Sequence, residues 1–249
     1  MKKFAFVTDI HLDEKEPQEF GVDASSHWEQ IITDLQEKEI DEIIFGGDIG
    51  AKTAHETFFS SLQFSSKLNI ILGNHDNYQD VKKHYGNKYL VADDGLYYSY
   101  EDNFIKYIFL DSSPDEISAT QFKWFQREIE TLKKIVLFIH HPILSVNTAA
   151  DEAYPLRNRN QLEEELCKCN NEVVIFCGHY HTADEQARKN ITQIITPAAS
   201  FQIKKNVDKI EVATDHFGYR IITLDKNDIS TELVLFKSTK IPVVNCGVR

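Results

Sequence analysis

Short apolar runs recur along the chain at residues 4–8, 42–45, 68–72, 107–110, 135–139 and 173–177. Each is dominated by Ile, Val, Leu and Phe. A strand with one wet face alternates apolar and polar residues, so continuous runs of this kind predict strands covered on both faces. Between the runs the period changes. Trp28, Ile31, Ile32 and Leu35 fall at i, i+3, i+4 and i+7, one face of a helix. Phe58, Phe59 and Leu62 form a second stripe. Phe122, Phe125, Ile129 and Leu132 form a third, with Ser118 or Thr120 as its N-cap. Residues 161–168 predict a short fourth helix. Strands alternating with helices imply an α/β fold. Beyond about residue 190 the helical spacing stops. Runs at 191–196, 201–204, 209–214, 219–224 and 231–236 predict a C-terminal β-meander over about 191–240, in a second sheet packed on the first.

The 249 residues, 42% apolar and 11% aromatic, suffice for one large domain with a sizeable core. Six prolines and ten glycines, with no repeat and no linker-like tract, favour a single domain over 1–249. The net charge of −12 disfavours non-specific binding to nucleic acid or to an anionic membrane. It leaves room for a small anionic substrate, because a bound metal reverses the field locally. Cys167, Cys169, Cys177 and Cys246 form no C-x-x-C pair and read as reduced thiols. The apolar run after Met1-Lys2-Lys3 is too short for a signal sequence, and no stretch approaches the ~20 apolar residues of a membrane span. A cytoplasmic protein without a membrane partner is expected, and the sequon at Asn190 then carries little weight.

The chemistry lies where the strands stop. The first run ends at Asp9, with His11 two residues on. The second passes through Gly46-Gly47 to Asp48. The third passes through Gly73 to Asn74-His75-Asp76. The run at 135–139 delivers His140-His141-Pro142, and that at 173–177 passes through Gly178 to His179-Tyr180-His181. Six of the ten histidines stand at these ends, whereas His27, His55, His84 and His216 are scattered. In open α/β sheets, ligands bind outside the carboxyl ends of the strands.

Carboxylate, amide carbonyl and neutral imidazole are donors for Mn, Fe, Zn, Co or Ni. Asp9, His11, Asp48, Asn74, His140, His179 and His181 are too many donors for one ion. Two ions sharing one carboxylate would use them all, and Asp48, with two acceptor oxygens in a Gly-Gly turn, suits the bridge. Two ions ~3.5–4 Å apart lower the pKa of a shared water and clamp phosphoryl oxygens for in-line attack. His75 remains over, placed to bond or protonate a leaving oxygen. Asp76 has two readings: it orients His75, or it caps the helix that follows.

The ordered set Asp9-x-His11, Gly47-Asp48, Gly73-Asn74-His75-Asp76, His140-His141-Pro142 and Gly178-His179-Tyr180-His181 resembles the calcineurin-like metallophosphoesterase superfamily. The resemblance runs from residue 4 to about 236. It implies an α/β domain of two mixed β-sheets packed as a sandwich and flanked by helices. It also implies a dinuclear centre of divalent or trivalent transition metal ions, Mn, Fe or Zn. On the family's pattern Asp9, His11 and His181 hold one ion, Asn74, His140 and His179 the other, and Asp48 bridges. The first histidine of the family's H-x-P motif is the ligand, which selects His140 over His141. His75 corresponds to the catalytic histidine.

Finer features resemble one branch. "TQFKWFQREI" (120–129) is similar to the Q-x-x-W-L segment of class III cyclic-nucleotide phosphodiesterases, and "TPAASFQI" (196–203) with "FGYRIITL" (217–224) to their C-terminal elements. "LRN" (156–158) sits where that group has an Asn before the last metal motif. H-H-P-I replaces the common H-H-P-P. The absence of D-R-G after Asp48, and Asp rather than Glu at 76, argue against a Ser/Thr protein phosphatase.

Specificity is expected from the loops at 77–94, with Lys82, Lys83, His84 and Tyr85, and at 145–160, with Tyr154, Arg157, Asn158 and Arg159. Arg157 and Asn158 are the candidate substrate contacts, since a guanidinium can grip phosphate bidentately. The resemblance implies hydrolysis of a small-molecule phosphodiester, a 3',5'-cyclic nucleotide above all. A phosphomonoesterase and a nucleotide pyrophosphatase are the alternatives within the superfamily. A nucleic-acid polymer is not expected as partner, given the acidic chain. A non-catalytic scaffold of the same fold should have lost donors, yet all seven and His75 are in place.

Overall fold

The computed structural model of the chain describes residues 1–65, 67–86, 92, 94–226 and 228–238. Every apolar run becomes a strand, because two sheets stack and leave both faces of their central strands dry. Strands are numbered in chain order. One sheet has five: β1 (Lys2–Val7), β2 (Glu42–Phe45) and β3 (Leu68–Ile70) lie parallel, and β12 (His216–Asp225) and β13 (Asp228–Lys237) add antiparallel beside β1, in the order β13-β12-β1-β2-β3. The other has six: β4 (Tyr98–Glu101), β5 (Ile105–Phe109), β6 (Lys134–Phe138), β7 (Val173–Cys177), β8 (Asp184–Arg188) and β9 (Ile191–Ile195), ordered β4-β5-β6-β7-β9-β8. A small ribbon pairs β10 (Gln202–Ile203) with β11 (Val212–Ala213).

An aromatic layer joins the sheets. Phe6 of β1 meets Phe138 of β6 at 5.7 Å and Phe176 of β7 at 6.2 Å between ring centroids, and Phe4 meets Tyr107 edge-on at 6.0 Å. Helices close the outer faces. Ala24–Glu37 buries Trp28, Ile31 and Leu35, with Asp23 capping its start through the Ser26 amide. Trp28 in turn packs on Phe45 and Phe58. On the far side, Ala119–Glu128 and Arg159–Lys168 cover Ile135, Leu137 and Ile175 with Phe125, Leu162 and Leu166. Phe138 is fully buried at the centre. Phe138→Ala should destabilise the fold by about 3–5 kcal/mol, read from urea unfolding; a cost below ~1 kcal/mol would mean that the layer is not the core.

The structure corrects several expectations. Ser118, not Thr120, caps the third predicted helix, accepting from the Gln121 amide at 3.1 Å. That helix stops at Glu128, so Leu132 leaves its stripe and stands fully exposed. The C-terminal strands do not form one meander in one sheet. β9 joins the six-stranded sheet and β12 and β13 the five-stranded one, while 201–204 and 209–214 shrink to the two-residue ribbon. The chain between crosses the carboxyl end of β1, where the Ala199 amide donates to Thr8 O and the Ser200 amide to Asp9 O. β4 and β8 have no counterpart among the apolar runs. Both are edge strands with polar, partly wet faces and carry no apolar run.

Cys167, Cys169 and Cys177 are free thiols, and Cys246 lies outside the described residues. Among the described residues no helix is long and apolar enough to cross a membrane.

Candidate metal centre

β1, β2, β3, β6 and β7 run the same way within their sheets and stop on one side of the sandwich. The backbone then turns sharply. Asp9, His11, Asp48, His179 and His181 all adopt positive φ, at 57°, 52°, 58°, 68° and 45°. This left-handed region costs a non-glycine residue about 1 kcal/mol each, and such strain gathers at functional sites. Glycine makes the approach possible. A Cβ on Gly73 would lie 2.1 Å from Asp48 Oδ1, and one on Gly47 (φ 98°) 2.5 Å from the Gly73 nitrogen.

These turns bring six of the seven predicted donors into two clusters. Asp9, His11 and His181 offer donor atoms within 4.8 Å of one another, and so do Asp48, His140 and His179. In the first cluster, His181 Nε2 lies 3.3 Å from Asp9 Oδ1 and 3.1 Å from His11 Nε2. In the second, His140 Nε2 lies 3.2 Å from Asp48 Oδ2. The same Oδ2 is 3.7 Å from His11 Nε2, so Asp48 stands between the clusters. Asn74 is exposed on the rim of the cavity above them.

The imidazoles are oriented as a metal would require. His140 Nδ1 donates to Gly46 O at 2.8 Å, and His181 Nδ1 to Phe201 O at 2.9 Å. His179 Nε2 donates to Tyr154 O at 2.9 Å. A carbonyl only accepts, so each of these nitrogens carries a proton and the other ring nitrogen is the one left to face inward. His140 Nε2 is buried with no hydrogen-bond partner, an orphan that a cation would satisfy. The residues present therefore fit a metal centre.

Electrostatics point the same way. Burial pushes the Asp9 carboxyl up, but the His181 and His140 rings outweigh it and hold the group below its usual range. Asp48 is held well below its usual value, with His140 as the main charge opposing its burial. His140 is raised against its burial by the Asp48 and Asp9 charges. Two buried carboxylates among imidazoles form a pocket that favours cations.

Asp76 fulfils neither of its predicted roles. Its Oδ2 accepts from the Asp48 amide at 2.8 Å and the Gly73 amide at 2.9 Å, and its Oδ1 from the Ile49 amide at 2.9 Å. It ties the β2 turn to the β3 turn. The following helix, Tyr78–Val81, is capped instead by Asn77. Burial and the Asp48 charge push the Asp76 carboxyl up to about 7 against those three donors. Asp76→Asn would turn an amide donor toward a backbone N–H, so a stability loss of about 1–3 kcal/mol is expected in thermal or urea unfolding.

His141 stays out of both clusters. Its Nδ1 pairs with Ser112 Oγ at 2.8 Å and its Nε2 lies 3.3 Å from Asp115. His75 lines the cavity, its backbone amide bonded to Asp48 Oδ1 at 2.9 Å and its ring edge-on to His11 at 4.7 Å. Its Nδ1 meets Glu14, a residue the sequence did not single out. Glu14 also meets His11 Nδ1 at 2.8 Å. The Glu14 hydrogen bond raises the His75 ring to about 9 over the opposing effect of burial. Burial would raise Glu14, but the two histidines hold it at about 2. In the sequence Glu14 lies in the charged stretch 13–16, where nothing sets it apart from a solvated carboxylate.

A cavity of about 630 Å³ opens over the clusters, floored by His11, Asp48, His179 and His181 and walled by Tyr154, Arg157 and Phe201. Arg157 donates to Pro114 O at 2.6 Å, its Nε lies 3.5 Å from Glu116 Oε2, and more than half of its side chain is exposed. Asn158 does not line the cavity. Its side chain accepts from the Ile117 amide at 3.0 Å and donates to Ile117 O at 2.8 Å. Arg159 pairs with buried Asp151, which also accepts from Tyr180 Oη and Ser145 Oγ. Of the 77–94 segment, Lys82, Lys83, His84 and Tyr85 do not reach the cavity, and residues 87–91 and 93 lie outside the described part.

The calcineurin-like phosphoesterase family model matches residues 2–183. A probable cyclic nucleotide phosphodiesterase of Fibrobacter succinogenes is 27% identical over 243 residues, 95% of this chain and 94% of the relative. The 3',5'-cyclic adenosine monophosphate phosphodiesterase CpdA of Haemophilus influenzae is 26% identical, covering 93% of this chain and 89% of its own. Among solved structures, a dimetal phosphatase from Danio rerio shares the fold at a TM-score of 0.63 and 11% identity, over 96% of this chain and 99% of that one. With the family model running from the first strand to beyond the last strand-end histidine, the chain belongs to the calcineurin-like phosphoesterase family.

Proposed function

We propose that this metal-dependent phosphoric ester hydrolase cleaves a phosphodiester bond in a small molecule, with a 3',5'-cyclic nucleotide as the natural substrate. The observation that carries the reading is the pair of donor clusters with Asp48 Oδ2 between them, under one cavity that also presents His75. Asp9, His11 and His181 would hold one transition-metal ion, Asn74, His140 and His179 the other, and Asp48 would bridge. Two ions bound there supply an activated water at neutral pH and charge to neutralise the phosphoryl oxygens. The chain's own groups do the rest. Asp76 fixes the turn that carries Asp48. His75 donates a proton to the leaving oxygen. The exposed guanidinium of Arg157 grips a phosphate oxygen at the wall, and Asn158 holds the segment from which Arg157 projects.

The cyclic-nucleotide assignment is supported by two relatives of that description that align over nearly their whole length. The test is a panel of cyclic nucleotides, linear diesters, nucleoside diphosphate derivatives and monoesters, each assayed with Mn, Fe, Co, Zn and Mg. The expected result is about two equivalents of bound transition metal and highest kcat/KM on cyclic diesters. A metal-replete preparation that binds none and leaves bis-p-nitrophenyl phosphate intact overturns the proposal. Higher kcat/KM on monoesters removes the diester assignment alone.

A further inference from the structure

Glu14 stands at the N-cap position of the short helix Lys15–Glu19, with extended backbone, yet its side chain makes no capping bond. The carboxylate turns inward, largely buried, and is shared. Oε2 lies 2.8 Å from His11 Nδ1 and 3.0 Å from His75 Nδ1, and Oε1 lies 3.1 Å from the same His75 nitrogen. The two rings sit edge to face 4.7 Å apart. An ionised carboxylate only accepts, so both histidines must turn an Nδ1–H toward it. That leaves Nε2 as the working atom of each ring. For His11, Nε2 is the atom that faces Asp9, His181 and Asp48.

We propose that Glu14 is a positioning residue that holds His11 toward the metal and His75 toward the leaving oxygen with one carboxylate. The proposal rests on the phosphoesterase reading for the roles of the two histidines, but the double tether itself is a matter of geometry. It joins two elements far apart in sequence, since His75 follows Glu14 by 61 positions. A carboxylate on one ring alone would orient one group. A carboxylate on both makes the direction of the ligand and that of the proton donor depend on a single side chain.

Glutamine at 14 tests this, because it keeps the size but in either orientation turns an amide N–H toward at least one of the two Nδ1–H groups, where the carboxylate offered only oxygens. Glu14→Gln, Glu14→Ala and Glu14→Asp should be compared with the parent by melting temperature, bound-metal count, rate of metal release to a chelator, and histidine N–H signals in ¹H–¹⁵N spectra. Turnover should be measured on methyl phosphodiesters of p-nitrophenol and of phenol. The expected E14Q protein melts near the parent and keeps the parent metal count, but releases metal about 10–100-fold faster. One Nδ1–H signal should be lost or shifted. Turnover should fall more on the phenyl ester, whose leaving group needs a proton, than on the p-nitrophenyl ester, and adding His75→Ala should cost nothing further on the phenyl ester.

Equal losses on both esters, or unchanged metal release, overturn the proposal. Loss of a whole ion in E14Q also overturns it, since Glu14 would then be a ligand. If the unaltered protein binds no metal and cleaves nothing, the phosphoesterase reading has failed. The N–H signals then still report whether Glu14 holds both rings, and unchanged signals in E14Q overturn the tether.

Discussion

Asp48→Ala should strip the protein of at least one metal ion and reduce turnover by ~10³-fold or more. The reason is position. Asp48 Oδ2 lies 3.2 Å from His140 Nε2 and 3.7 Å from His11 Nε2, one in each donor cluster, and it is the oxygen that serves both. A bridging carboxylate neutralises charge for both ions, and losing several kcal/mol of that stabilisation corresponds to about three orders of magnitude in rate. A second effect is built in. Asp48 Oδ1 accepts the His75 amide at 2.9 Å, so alanine also frees the backbone that carries His75. Asp48→Asn separates the two effects, because an amide oxygen can keep that bond while the negative charge is gone. Metal counts on the purified variants decide the matter. Full occupancy by two ions in Asp48→Ala would falsify the bridge.

His75→Ala is expected to act on turnover and leave the metals in place. The side chain is about a third exposed and belongs to neither cluster that Asp48 stands between, but to a separate group with His11 and Glu14, so the fold should lose little. Without a proton donor, hydrolysis of esters with poor leaving groups should fall by about 10²–10⁴. The fall should be smaller for p-nitrophenyl esters, which leave readily as anions. KM should change less than kcat, since the interaction belongs to the transition state. Metal content equal to the parent with turnover unchanged on a phenyl ester would remove His75 from the chemistry.

Both expectations rest on residues that the sequence shows directly. Strands covered on both faces announce themselves as apolar runs, and the Asp, Asn and His residues that follow them stand out because the runs end so sharply. β4 and β8 were hidden for the converse reason: an edge strand needs no apolar face, and "DEQAR" at 184–188 looks like a loop. The fate of the C-terminal strands was hidden too, since periodicity tells that a segment is a strand but not which sheet receives it. Leu132 fits a helical stripe by spacing, yet spacing carries no sign of where the helix stops.

Within the site the same boundary holds. A donor at a strand end is visible in one dimension. A group that acts through another is not. Asp76 works on amides 27 and 28 positions away, and Glu14 on a ring 61 positions away. The neighbourhood of Asn158 suggests a substrate contact, but its two bonds to Ile117 turn it to a structural task.

The left-handed turns at Asp9, His11, Asp48, His179 and His181 limit what this site can become. Beyond glycine, the side chains that tolerate such backbone best are Asn, Asp and His, while branched residues are disfavoured. Oxygen- and nitrogen-seeking metals draw their ligands from that same short alphabet. Two unrelated filters, one steric and one chemical, therefore accept the same letters at these five positions. On the proposed metal assignment, exchange among Asp, Asn and His would let the metal preference drift without rebuilding these turns.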